Sequence, residues 1–209
     1  YPMNLKNYPS GEPGLKAVVD KCHAAGLKVG IHCLTSFVAK TDPLVTPKPD
    51  PRLLKDRVTT LAADITATDT TIPSTDSVAV WPALPSVSFV SDRGMDIQID
   101  DEIIGYSIAG GTDGKTFVKC ARGLHRTQAA SHKQGATIGH LGQRYGHYFV
   151  DLRTSLKDQL AERIAGVINR CGLDMIYFDG AESNSIMGPE KWYWVTSAVI
   201  APPNTRPAP

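Results

Sequence analysis

The chain has 209 residues, 42% apolar and 21% charged, with 22 basic against 21 acidic side chains and a formal charge of +1. This balance is that of a globular protein and excludes a disordered tail or a collagen-like rod. It also argues against a nucleic-acid binder that works through a broad cationic surface. Eighteen glycines and 15 prolines lift the turn-formers a little above the roughly 12% of average usage, so a turn-rich chain is expected. No run of apolar residues is long enough for a membrane-spanning helix. The opening YPMNLKNYPSGEPG has no basic stretch followed by an apolar core, so it does not read as a signal peptide but as the start of a mature piece or an internal fragment. Cys22, Cys33, Cys120 and Cys171 show no C-x-x-C spacing, which removes zinc-ribbon and thioredoxin readings. Cys22, Cys33 and Cys171 lie within apolar periodic segments and read as small buried hydrophobes. A disulfide between any two stays open.

Residues 11–34 read as one helix and one strand. Gly11, Pro13 and Gly14 punctuate the start. Leu15, Val18, Val19 and Cys22 then recur at i, i+3, i+4 and i+7, the spacing of one helix face. Gly26 is the expected stop. The run LKVGIHCL at 27–34 follows, short and apolar enough for a strand covered by helices. Proline-rich TDPLVTPKPDP, residues 41–51, predicts an extended linker.

The texture changes over 59–140. Thr, Asp, Ser, Pro and Gly are dense, and no helical stripe is found. Short alternating runs at Leu61–Thr66, Val87–Val90, Met95–Ile99, Glu102–Tyr106 and Thr116–Cys120 predict strands, with a turn at Gly110, Gly111, Asp113 and Gly114. This is an inserted all-β module.

The helix–glycine–strand logic returns at 151–180. Leu152, Leu156, Leu160, Ile164 and Ile168 repeat every four residues, Gly172 follows, and LDMIYFDG is again an apolar strand ending in Asp179. Two such units predict a parallel α/β sheet, open or closed. Pro189 fits the first turn of a further helix carrying Trp192, Tyr193, Val195, Val199 and Ile200. APPNTRPAP at the end reads as a tail.

GLKAVVDKCHAAGLKVGIHCLTSF and GLDMIYFDGAE resemble segments of retaining glycoside hydrolases with (β/α)8 barrels, of the α-fucosidase and α-galactosidase-like kind. In those families an apolar strand ends in an aromatic residue followed by the nucleophilic Asp, here Tyr177, Phe178 and Asp179. TTIPSTDS, MDIQIDDEIIGYS and KCARGLHRTQAASHKQGATIGHL resemble a small structural or adhesive β module of phage virions and secreted bacterial proteins. The expected fold class is therefore α/β, part of a (β/α) barrel with an inserted antiparallel β module. Its divisions are a first barrel segment (1–58), the all-β insert (59–140), a second barrel segment (141–200) and a proline-rich tail (201–209). A closed barrel takes about 250 residues, more than the chain holds outside the insert, so a larger barrel chain or self-association is expected as partner.

The resemblance makes Asp179 the candidate nucleophile at the C-terminal end of a strand, where barrel active sites lie. Alternatively it caps a turn before Gly180. Glu182 is the candidate acid/base, or a solvated loop residue. His32, followed by Thr35 and Ser36, either donates to a sugar hydroxyl or is a buried histidine bonded to backbone. Tyr177 and Trp192 are candidate sugar-contacting aromatics. Trp192 and Trp194 face different directions on a helix, so at least one belongs to the core. His140, Arg144, Tyr145 and His147 either edge the cleft or form the return loop of the insert. No spacing motif supports a metal site, and no cofactor is expected. The expected activity is hydrolysis of a polysaccharide or oligosaccharide by an extracellular or periplasmic protein. The alternative is a non-catalytic structural or carbohydrate-adhesion component of an extracellular assembly. Neither involves nucleic acid or a membrane span.

Overall fold

The computed structural model describes residues 6–34, 36–82 and 93–179. In chain order the elements are α1 (Glu12–Ala24), β1 (Gly30–Leu34), β2 (Phe37–Ala39), β3 (Lys55–Thr60), β4 (Thr71–Pro73), β5 (Asp96–Ile99), β6 (Glu102–Gly105), β7 (Thr116–Val118), β8 (Thr137–Leu141), β9 (Gln143–Arg144), β10 (His147–Phe149), α2 (Leu156–Cys171) and β11 (Met175–Asp179). They fall into two compact units, Tyr1–Ser36 with Leu152–Pro209, and Phe37–Asp151. The second unit starts earlier and ends later than the texture of 59–140 indicates, because β2, β9 and β10 join it.

The first unit is built from a repeated local grammar. Gly26 takes a left-handed φ of 75° after α1. Leu27 N–H donates back to Cys22 O at 3.0 Å and Gly26 N–H to His23 O at 2.9 Å. These two bonds satisfy carbonyls that a helix end leaves open. Gly172 does the same for α2, with φ 72° and Leu173 N–H on Ile168 O at 3.0 Å. Each glycine turns the chain straight into a strand. Leu15, Val19, Cys171 and Leu173 form a small core with Val29, Ile31, Val167 and Ile168 packed against it. Arg170 grips Glu12 through Nε and Nη2 at 2.7 and 2.8 Å. β1 and β11 pair in parallel, Gly30 opposite Met175 through Leu34 opposite Asp179.

The sheet stops there, and the barrel expectation is overturned. Among the described residues there are two α-helices, and β1 and β11 form a two-stranded sheet with no third member. The remaining strands form small antiparallel sheets of four, three and two strands, none closed on itself. The protein is β-rich, not a (β/α) barrel, and the resemblance to α-fucosidase or α-galactosidase-like retaining glycoside hydrolases falls with the barrel that it required. Helix, glycine and strand are the grammar of any single βα step, whereas closure needs about eight of them. No helix among the described residues is long and apolar enough to cross a membrane.

The second unit carries the larger core. Its four-stranded sheet runs β3-β8-β5-β6, its three-stranded sheet β2-β10-β9, and β4 pairs with β7. Ile97, Ile99, Ile104, Phe117 and Ile138 are fully buried with Leu61 and Ile72 around them. The run at Leu61–Thr66 is not a strand. The strand lies just before it, and Leu61 and Ile65 enter the core through isolated bridges to Ser74 and His132. Val87–Val90 and the helix expected after Pro189 lie outside the described residues. All four cysteines are free thiols, Cys120 and Cys171 buried, Cys22 and Cys33 half-buried.

A buried carboxylate fixes this unit. Glu102, at the start of β6, is 1% exposed. It accepts from Arg122 Nε and Nη2 at 2.9 and 2.7 Å, from Gly123 N–H at 2.9 Å, from Ala130 N–H at 3.1 Å and from His132 Nε2 at 2.8 Å. Arg122 Nη2 also donates to Ala130 O and Nη1 to Asp69 O, at 2.7 and 3.2 Å. The second ring nitrogen of His132 meets Asp100 at 2.8 Å, so the ring bridges two carboxylates. Burial alone would raise the Glu102 carboxyl. Arg122, His132 and the two amides outweigh burial and hold it below its ordinary 4.5. A depressed native value means that Glu102 stabilises the fold above its unfolded value, and that this stability is lost as pH falls through the native one. Glu102→Gln should leave Arg122 and His132 without their anion and cost about 3–5 kcal/mol, read by urea unfolding at neutral pH. The difference from the wild type should shrink on acidification, and a loss under 1 kcal/mol at neutral pH would refute the assignment.

Candidate functional site

Two places in the described structure gather chemistry-bearing side chains, one in each unit. The first is the face of the parallel strand pair. Residues two apart on a strand share a face, which places Tyr177 and Asp179 together on β11. The register sets His32 of β1 opposite Tyr177. The rings of His32 and Tyr177 stack with centroids 5.4 Å apart and planes 24° apart. His32 Nε2 lies 2.9 Å from Asp179 Oδ2. Their side chains are 56% and 41% exposed, so the pair stands open to solvent. Gly30 sits one step before, under Met175, whose Cε would lie 3.0 Å from any Cβ placed there.

Three of the sequence-predicted site residues, His32, Tyr177 and Asp179, are thus brought together. Glu182 and Trp192 lie outside the described residues, as do Thr35 and Trp194. His32 is not a buried histidine bonded to backbone; it is a half-open partner of a carboxylate. Of the group after the insert, His140, Tyr145 and His147 are engaged within the β unit. His140 is fully buried on β8, with Nδ1 on Asp56 Oδ1 and Nε2 3.1 Å from Gly94 O. His147 Nδ1 meets Tyr145 O at 2.7 Å, and Tyr145 packs on Phe37. Among the described residues no group of three or more His, Cys, Asp and Glu side chains is placed to hold a metal ion.

The second place is a cleft of about 320 Å³ in the β unit, lined among others by Lys40, Asp96, Tyr106, Ser107, Lys119 and Gln143. Asp96 is 8% exposed. It accepts from Lys40 Nζ at 2.8 Å, from the Tyr148 hydroxyl and from His125 Nε2 at 3.3 Å. Burial opposes its charge, but His125, Lys40 and Tyr148 together hold the carboxyl far below the usual carboxylate range. Lys40 also lies 4.7 Å over the Tyr148 ring. Burial, then the Asp96 charge, pushes the Tyr148 hydroxyl well above its usual range. Burial and then Asp56 do the same to Tyr106. Burial pushes the Cys120 thiol up to about 12.

The chain that enters the cleft wall at Lys119 takes unusual backbone conformations there and a few residues on. Lys119, His125 and Arg126 take positive φ of 55°, 54° and 65° without being glycine. Such residues cost about 1–3 kcal/mol each and persist where the surroundings hold them. Here Arg122, between them, is fixed to Glu102. Gly105 lets the wall close in, since a Cβ there would meet Leu124 Cδ1 at 2.6 Å. The sequence marked none of this as a site. The pattern of β5 gives no signal for it, since Asp96 alternates with Ile97 and Ile99 as a polar, outward residue would.

Comparison with known protein families and with curated proteins gives no match to either. The two sites stand on their own geometry.

The exposure of the His32–Asp179 pair separates function from stability. Exposed ion pairs contribute under about 1 kcal/mol. His32→Ala and Asp179→Asn should each change the unfolding free energy by less than that, by chemical denaturation. A loss of several kcal/mol in either variant would make the pair structural.

Proposed function

We propose that the β unit is a non-catalytic carbohydrate-adhesion module. One observation carries this reading: the carboxylate that lines the cleft, Asp96, is buried and filled by Lys40, Tyr148 and His125, so it is not free to act on a ligand as acid, base or nucleophile. A general acid or base needs a pKa near its working pH. Asp96 is held ionised, Tyr106 and Tyr148 are held protonated, and the Cys120 thiol is pushed up to about 12. None of these four changes state near neutral pH. What the cleft does offer is a set of polar groups, Ser107, Lys119 and Gln143, beside Met95 and Ala121. Hydrogen-bonding groups on a partly apolar wall suit a ligand that carries many hydroxyls. The frame beneath them is held by the Glu102 cluster, so little is lost in ordering it on binding.

The test is a glycan array probed with the whole chain, followed by titration of the best binder and by an assay for new reducing ends. The expected result is saturable binding without hydrolysis, with amide shifts at Ser107, Lys119 and Gln143. Release of reducing ends that disappears in Asp179→Asn would overturn the non-catalytic reading. Absence of binding to every glycan would overturn the carbohydrate reading.

A further inference from the structure

The cleft has an uneven charge. Two ammonium groups, Lys40 and Lys119, and one carboxylate, Asp96, line it. Lys40 is spent on Asp96 at 2.8 Å, with the Tyr148 ring beneath it. Asp96 in turn is filled by Lys40, Tyr148 and His125. Its charge is therefore balanced inside the wall and presents no free anion to a ligand. Lys119 differs. It is exposed, and among the described residues its ammonium meets no carboxylate and makes no hydrogen bond. Its backbone is the only part engaged, the carbonyl accepting from the Ser107 hydroxyl at 3.4 Å. The left-handed φ of 55° at Lys119 is a conformation that a lysine adopts only at a cost. Cys120, the next residue, is anchored in the core and donates its N–H to Thr70 O at 2.8 Å. Among the described residues that line the cleft, Lys119 thus brings an unpaired cation to its rim, on backbone in a left-handed conformation.

We propose that the ligand of this cleft is an anionic glycan, a sugar bearing a carboxylate or a sulfate that pairs with Lys119 while its hydroxyls meet Ser107 and Gln143. The proposal rests on the carbohydrate reading and deepens it. Lys40 holds Asp96 in check, which keeps that carboxylate from repelling an incoming anion. Lysine is a point charge without the fork geometry of arginine, so the cleft accepts either acid group.

The experiment compares neutral, carboxylated and sulfated glycans on one array, with the wild-type chain and with Lys119→Gln and Lys119→Arg. Lys119→Gln keeps a long side chain on the same backbone and removes only the charge. Acidic glycans should bind best, and raising salt from low to physiological strength should weaken them but not the neutral ones. Lys119→Gln should lose about tenfold in affinity for the acidic glycans, the size of one charge-assisted contact, with an unchanged melting temperature. Lys119→Arg should restore most of it. Preference for the carboxylated over the sulfated set, or the reverse, identifies which acid the cleft takes, and either outcome supports the proposal. Equal binding of neutral and acidic glycans, or full acidic binding in Lys119→Gln, overturns it and leaves the carbohydrate reading standing. No binding to any glycan overturns both.

Discussion

Five donors converge on one buried carboxylate, and the β unit is arranged around that convergence. Glu102 stands at the start of β6, and its partners come from loops at Arg122, Gly123, Ala130 and His132. A carboxylate taken out of water costs several kcal/mol unless it is paired and its lone pairs are filled. Here every approach is used. The anchored guanidinium then reaches Thr66 O and Asp69 O, so one cation ties three stretches of chain that carry little regular structure. The arrangement specifies loop positions that hydrophobic packing alone leaves loose, and the left-handed residues on either side of Arg122 are its visible cost.

The cleft inherits its shape from that clamp. Lys119, His125 and Arg126 flank Arg122, and Leu124 closes over Gly105. Asp96, at the start of β5, is balanced by Lys40, Tyr148 and His125. Two buried carboxylates, Glu102 and Asp96, thus divide the work. One fixes the wall and the other lines the cleft without leaving a loose charge in it. Lys119 is what remains after this pairing is complete.

Local grammar was legible in the residues and global count was not. Leu15 and Val19, the glycine stops at Gly26 and Gly172, and the strands within LKVGIHCL and LDMIYFDG follow from rules spanning fewer than about ten residues. So does the alternation that gives β5 and β6. The parallel pairing of LKVGIHCL with LDMIYFDG follows from the repeat of the helix–glycine–strand unit. The meeting of His32 with Asp179 needed only that pairing and the two-residue repeat of a strand. The barrel did not follow, because the number of βα steps is a property of the whole chain. Val18 shows the same limit on a smaller scale: it lies on the periodic stripe yet is 47% exposed, since two strands give α1 only a narrow surface to cover. The cleft was illegible for another reason. Asp96 finds its partners 29 and 56 residues away, and Glu102 finds its own 20 and 30 away. Such partners are set by sheet register and loop path, which no local pattern encodes.

Glu102 is the point from which the loops, and through them the cleft, take their positions. Amide hydrogen exchange at Gly123 and Ala130 tests this most directly, because both N–H groups lie outside any strand or helix and have Glu102 as their acceptor. If the clamp holds, the two should exchange as slowly as the amides of β5 and β8, and should be released together in Glu102→Gln while β4 and β7 keep their protection. Exchange of Gly123 and Ala130 at the rate of open loops in the wild-type protein would contradict it.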